Sequence, residues 1–149
     1  MWMGRTRSSA RRSRAESPYD DTPSRHPVSY TRRMNKYLVL YRSESVLNGI
    51  TVSEMFARST PEQMEAGMAA WRAWYEKCGS AVVDLGAPLD KSTTVKPDSS
   101  APGKTSITGY TLLQAGSMEE AVSLIKGHPH FNAPGSSVQI LECVPMAGM

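Results

Sequence analysis

Cysteine is scarce in this chain: Cys78 and Cys143 are the only two in 149 residues. Two cysteines do not make a disulfide framework, which excludes the stapled secreted scaffolds. Long apolar runs are missing as well. No stretch approaches the roughly 20 residues of a membrane-crossing helix, and no apolar segment follows Arg11–Arg12, as a twin-arginine signal would require. There is no glycine-rich phosphate loop and no dinucleotide fingerprint. These absences point to a reduced, cytoplasmic compartment, no membrane partner and no cofactor.

Basic charge is absent from most of the chain. The formal net charge is +3, yet residues 1–33 hold eight arginines against Glu16, Asp20 and Asp21, a local net of +5. The remainder holds nine basic and eleven acidic residues, a net of −2. Nucleic-acid binding would therefore rest on this tail alone. Rich in Arg, Ser and Pro, with little periodic apolar content, residues 1–33 read as a disordered basic tail. Two origins stand side by side. One is a nucleic-acid arm or transit peptide. The other, which the sequence favours, is a mis-assigned start with Met34 as the true first residue, because the first strand begins directly after it. Residues 34–149 then form one domain.

Within that domain the punctuation is clear. Lys36–Arg42 alternates as a strand, with Tyr37, Val39 and Tyr41 on one side and Leu38 and Leu40 on the other. Val52, Met55 and Phe56 mark a short helix opened by Thr51 or Ser53. Thr60-Pro61-Glu62-Gln63 combines a capping box with proline at the first helical position. Met64, Met68, Trp71, Tyr75 and Cys78 follow as one apolar stripe, and Gly79 ends the helix. Ala81–Gly86 reads as the second strand, Lys91–Ser106 as a loop rich in Ser, Thr, Pro and Lys, and Ile107–Ala115 as the third strand. Ser117 with Glu120 predicts a second capping box, with Met118, Ala121, Val122 and Ile125 as its apolar stripe. Gly127 and Pro129 stop that helix. A Pro134–Gly135 turn leads into a closing strand over Val138–Cys143.

The order β-α-β-β-α-β predicts an α+β, ferredoxin-like fold: a four-stranded antiparallel sheet with two helices on one face. Strands one, three and four carry apolar residues on both faces. The uncovered face would be a larger apolar patch than monomers usually expose, which predicts a symmetric homodimer with the two sheets packed together.

The segments NKYLVLYR, TPEQMEAGMAAWRAWYEKCG, VVDLGAPL, GYTLLQAGSMEEAVSLIKGHPHF and VQILECVPM resemble the YCII-related domain family, over about residues 34–146. The GHPHF block before a Pro-Gly turn is the most specific piece. The resemblance implies a dimeric α+β barrel with a pocket between sheet and helices. Some family members are thought to use a His–Asp pair in small-molecule chemistry. The first helix here carries no histidine, so the pair is not reproduced in that position, and only the histidines after the second helix remain.

His128 is the candidate acid or base, since imidazole exchanges protons near neutral pH. Asp84, the acidic residue of an otherwise apolar strand, is its expected orienter. Trp71, Trp74, Tyr110 and His130 are the expected walls of a substrate pocket. That makes a lyase- or isomerase-type enzyme one reading and a non-catalytic ligand-binding or interaction module the other. In the second, the helix dipole favours His128 at a helix C-terminus, and Asp84 bonds a turn N–H near Gly86. His128 and His130 alone are too few for zinc, so no metal is expected. Both cysteines fit apolar positions, where thiols are inert.

Overall fold

β1 (Asn35–Ser43) runs through the middle of the main sheet in the computed structural model, which describes residues 33–148. The tail reading falls almost wholly outside the described residues. β1 alternates as its sequence requires: Tyr37, Val39, Tyr41 and Ser43 are buried, and Leu38, Leu40 and Arg42 are half-buried. It pairs antiparallel with β5 (Ile107–Ala115) on one side and β6 (Ser136–Glu142) on the other. β2 (Val82–Asp84) pairs antiparallel with β5, so the sheet order is β2-β5-β1-β6.

Among the described residues, four α-helices lie between the strands. α1 (Glu44–Leu47) is one turn, and α2 (Val52–Arg58) is opened by a complete Thr51–Glu54 capping box. α3 (Pro61–Cys78) starts at the predicted cap: Thr60 Oγ1 accepts from Gln63 N–H at 3.2 Å, and Gln63 Oε1 accepts from Thr60 N–H at 2.9 Å. α4 (Met118–Ile125) is capped by Ser117, whose hydroxyl accepts from Glu120 N–H. The Glu120 carboxylate accepts from Gly116 N–H, one residue before the expected one.

α3 and α4 deliver Trp74, Ala121 and Ile125 into one core cluster with Tyr37, Val39, Tyr41, Leu113 and Ala115. Both helices therefore cover the odd-numbered face of β1 and β5. They are tied together as well as packed, because Trp74 Nε1–H donates to Leu124 C=O at 2.9 Å. This satisfies the indole's one polar atom in a buried position.

On the opposite face, Leu38 lies between Leu112 and Leu141, and Leu40 between Tyr110 and Gln139. Leu38, Leu40, Tyr110 and Leu112 are half-buried there, and Leu141 is exposed.

Several expectations need correction. Residues 91–106 are not a plain loop. β3 (Ser92–Lys96) and β4 (Ser99–Gly103) form a two-stranded hairpin around Pro97–Asp98. Its residues are nearly all exposed, so backbone pairing holds it and no apolar pattern announces it. The inward line of α3 runs through Trp71, Trp74 and Cys78, whereas Met68 and Tyr75 are exposed. On α4 the outlier is Val122, exposed where Leu124 packs instead. The second strand is shorter than expected, since Gly79–Ala81 forms a 3-10 turn before it. Among the described residues, no helix is long and apolar enough to cross a membrane.

Candidate functional site

His128 follows α4 and caps a 3-10 turn over Pro129–Asn132. It is therefore not at the α4 C-terminus, and the helix dipole does not account for its position. Its ring is 1% exposed and wedged among three aromatic rings. The centroid distances are 4.4 Å to Trp74, 4.5 Å to Trp71 and 4.9 Å to Tyr41. Trp71 and Trp74 meet the imidazole edge to face.

Hydrogen bonding settles the tautomer. Nδ1 accepts from His130 N–H at 3.0 Å, so it carries no proton and the neutral ring bears its hydrogen on Nε2. That Nε2 is buried with no hydrogen-bond partner among the described residues. Burial first, and the charge of His130 second, lower the His128 pKa from 6.5 to about 4. The imidazole is neutral at pH 7 because charging it would strip water from a cation in an apolar setting.

Tyr41 forms the floor of this cluster. Thr111 Oγ1 donates to Leu85 C=O at 2.8 Å, which uses its only proton. The 2.9 Å contact between Tyr41 Oη and Thr111 Oγ1 must then be donated by the tyrosine. Burial is the main cause that pushes the Tyr41 pKa up to about 12. The phenol is thus a protonated donor committed to Thr111. Tyr41 was not among the expected site residues. Its signal was the shared parity with Val39 and Tyr37, which places it beneath the histidine-bearing link.

His130 is half-buried and held by backbone. Its Nε2 lies 2.9 Å from Arg42 C=O and 3.2 Å from Ser137 C=O; two acceptors require the proton on Nε2. This imidazole clamps the ends of β1 and β6 together.

The expected partner of His128 is elsewhere. Asp84 is exposed at the end of β2, and its carboxylate accepts from Gly86 N–H at 2.8 Å. The cause is a register shift. Val82 pairs with Leu113 of the core face, but Asp84 pairs with Leu112 of the opposite face. One extra residue on β2, Val83, turns the aspartate away from the helices. Tyr110 is separated from Trp71 and Trp74 for a related reason: it alternates with Thr111 and lies on the uncovered face beside Leu40. The fold thus brings together His128, Trp71, Trp74 and, through Tyr41, His130 at 5.2 Å, but neither Asp84 nor Tyr110.

Outside Trp74, a depression of about 370 Å³ lies between α3 and the link, edged by Lys77, Lys126 and Pro129. Among the described residues no group of three His, Cys, Asp or Glu could hold a metal ion. Cys78 is half-buried, and burial pushes its thiol pKa up. Cys143 is exposed, contrary to its expected apolar setting. No protein-family model matches the chain, and no curated protein matches it either.

Proposed function

We propose that this chain is a YCII-related domain of ferredoxin-like, homodimeric architecture that acts as a non-catalytic ligand-binding or interaction module. One observation carries the choice over an acid–base enzyme. His128 is buried among Tyr41, Trp71 and Trp74 with Nδ1 already bonded, while Asp84 is bonded to Gly86 N–H. A general base needs a pKa near the working pH and a group that orients it. An imidazole pushed down to about 4 has neither the basicity nor the carboxylate. His128 is then a structural residue that fixes the link by accepting from His130 N–H.

The order β2-β5-β1-β6, with α3 between β1 and β2 and α4 between β5 and β6, supports the ferredoxin-like reading. The row of Leu38, Leu40, Tyr110, Leu112 and Leu141 on the face without these helices supports a second copy packed sheet to sheet.

The functional test is a metabolite library screened on the full chain and on His128→Asn by thermal shift, with NMR to detect turnover. A bound ligand raises the midpoint by mass action. We expect hits that shift both proteins alike and remain chemically unchanged. Turnover of any hit, lost in His128→Asn, overturns the non-catalytic reading. For the assembly, sedimentation should give a dimer at micromolar concentration and a monomer for Leu40→Lys; a monomeric parent chain refutes it.

A further inference from the structure

A second cavity, of about 350 Å³, opens where β1 ends, and none of Tyr41, Trp71, Trp74 or His128 lines it. Its inner wall is built from two buried serines, with Ser43 N–H donating to Ser106 C=O at 2.8 Å. Arg42 forms one side. Its Nε donates to Ser106 Oγ at 2.7 Å and its Nη1 to Gln139 Oε1 at 2.9 Å. A guanidinium has five N–H donors in one plane. Two bonds fix that plane, and three donors are left without a partner among the described residues.

Glu44 forms the facing side. Its backbone N–H donates to Gly135 C=O at 3.3 Å, and its carboxylate lies over that glycine. A Cβ at Gly135 would meet Glu44 Oε2 at 3.4 Å, an ordinary contact that places the carboxylate beside this turn, and the φ of +70° is what favours glycine there. Among the described residues the Glu44 carboxylate has neither a hydrogen bond nor an ion pair, and in particular none to Arg42. Behind the cavity, the His130 imidazole holds the carbonyls of Arg42 and Ser137. The end of β1 that carries Arg42 is thereby tied to the start of β6, which also lines the cavity.

A guanidinium and a carboxylate thus border one small space without neutralising each other. Serines in the same lining can donate or accept, and Leu47 adds one apolar side chain. An anion alone would meet Glu44, and a cation alone would meet Arg42. A molecule carrying both charges meets neither repulsion. We propose that this cavity binds a small zwitterion of the free α-amino acid class, its carboxylate against Arg42 and its ammonium against Glu44. This rests on the ligand-binding reading above and specifies one ligand class for it.

The test is calorimetric titration of the full chain with L-valine, isovalerate, which lacks the ammonium, and isobutylamine, which lacks the carboxylate. L-valine should bind about tenfold or more tightly than either single-charge analogue, as expected for loss of one charge-assisted contact. Arg42→Gln and Glu44→Gln should each weaken L-valine by a similar factor. Glu44→Gln should also narrow the gap between L-valine and isovalerate. Because Arg42 also bonds Ser106 and Gln139, circular dichroism checks that Arg42→Gln folds; Glu44 is exposed, and its variant keeps the test independent. No L-valine binding up to about 10 mM, a very weak limit on the affinity scale, overturns the proposal. So does equal binding of isovalerate, or a Glu44→Gln variant that binds L-valine unchanged. A different metabolite that shifts the melting midpoint equally in both variants would overturn this site while leaving the ligand-binding reading intact.

Discussion

Acid should unfold this domain through His128. Its pKa is held down at about 4 in the folded chain against 6.5 for an unperturbed imidazole, so between those values the unfolded state binds the extra proton. Stability therefore rises with pH across this window. The contribution is complete above pH 6.5 and is lost as pH falls toward 4. Integrating proton binding with these two pKa values gives a loss of about 2 kcal/mol between pH 7.5 and pH 5, and about 3 kcal/mol by pH 4. That is a sizeable part of the 5–15 kcal/mol that holds a typical domain folded. The groups facing His128 do not offset it. Tyr41 stays protonated throughout, Trp71 and Trp74 do not titrate, and a charged His130 would only repel a second charge.

The assay is urea unfolding of the full chain at pH 7.5, 6.0 and 5.0, beside His128→Asn. Asparagine keeps an acceptor for His130 N–H and removes the titrating ring. The variant should be less stable at every pH because it leaves a cavity. Its loss between pH 7.5 and 5.0 should nevertheless be about 2 kcal/mol smaller than that of the parent. Carboxylates away from this cluster are common to both proteins, so they cancel in the difference. Equal losses in the two proteins, within about 0.5 kcal/mol, a normal margin for additive effects, would refute the claim that His128 is buried uncharged.

Other expected outcomes follow from single contacts. Thr111→Val removes the acceptor of the Tyr41 hydroxyl and the donor to Leu85 C=O, and should cost about 1–3 kcal/mol by denaturant titration. Trp74→Phe keeps most of the packing but leaves Leu124 C=O without its indole donor; about 1–2 kcal/mol should be lost, with faster amide exchange at the end of α4. Gly86→Ala would put a Cβ 1.8 Å from Tyr110 O at φ +76°, whereas Gly127→Ala at φ +75° meets nothing within 4 Å. The first should unfold the domain or cost well over about 2 kcal/mol, and the second should cost about 1 kcal/mol, the strain alone.

The parts of the fold that were legible in the sequence are those decided locally. Thr60, Pro61 and Gln63 fix a helix start through bonds three residues apart, and the structure places it there. The alternation of β1 and β5 was equally readable, because a strand paired on both sides must divide its side chains between two faces. The α3 stripe was misread because Met68 and Tyr75 are apolar but lie off the line through Trp71, Trp74 and Cys78. Apolar residues on several sides of a helix leave its rotation undetermined until a partner surface is known. The β3–β4 hairpin was missed because its residues bury almost nothing, so hydrophobic pattern carried no record of it.

The site depended on one further quantity, strand register. His128 and Asp84 were each sensible candidates alone, but whether they meet turns on which β5 residue opposes Asp84. Had Val82 and Asp84 paired with Leu113 and Thr111 in regular register, both would face α3 and α4. Instead Asp84 opposes Leu112. One extra residue on β2 changes the face, and nothing in the letters VVDLG fixes it. The glycine that follows does offer a cause. Gly86 approaches the Tyr110 carbonyl so closely that no side chain could fit, and Asp84 stabilises the turn into it by accepting from Gly86 N–H. Turning the aspartate outward and bringing the backbone in at Gly86 belong to one local arrangement. It commits the carboxylate to the turn and leaves His128 to an aromatic surround in which the neutral ring is the stable form.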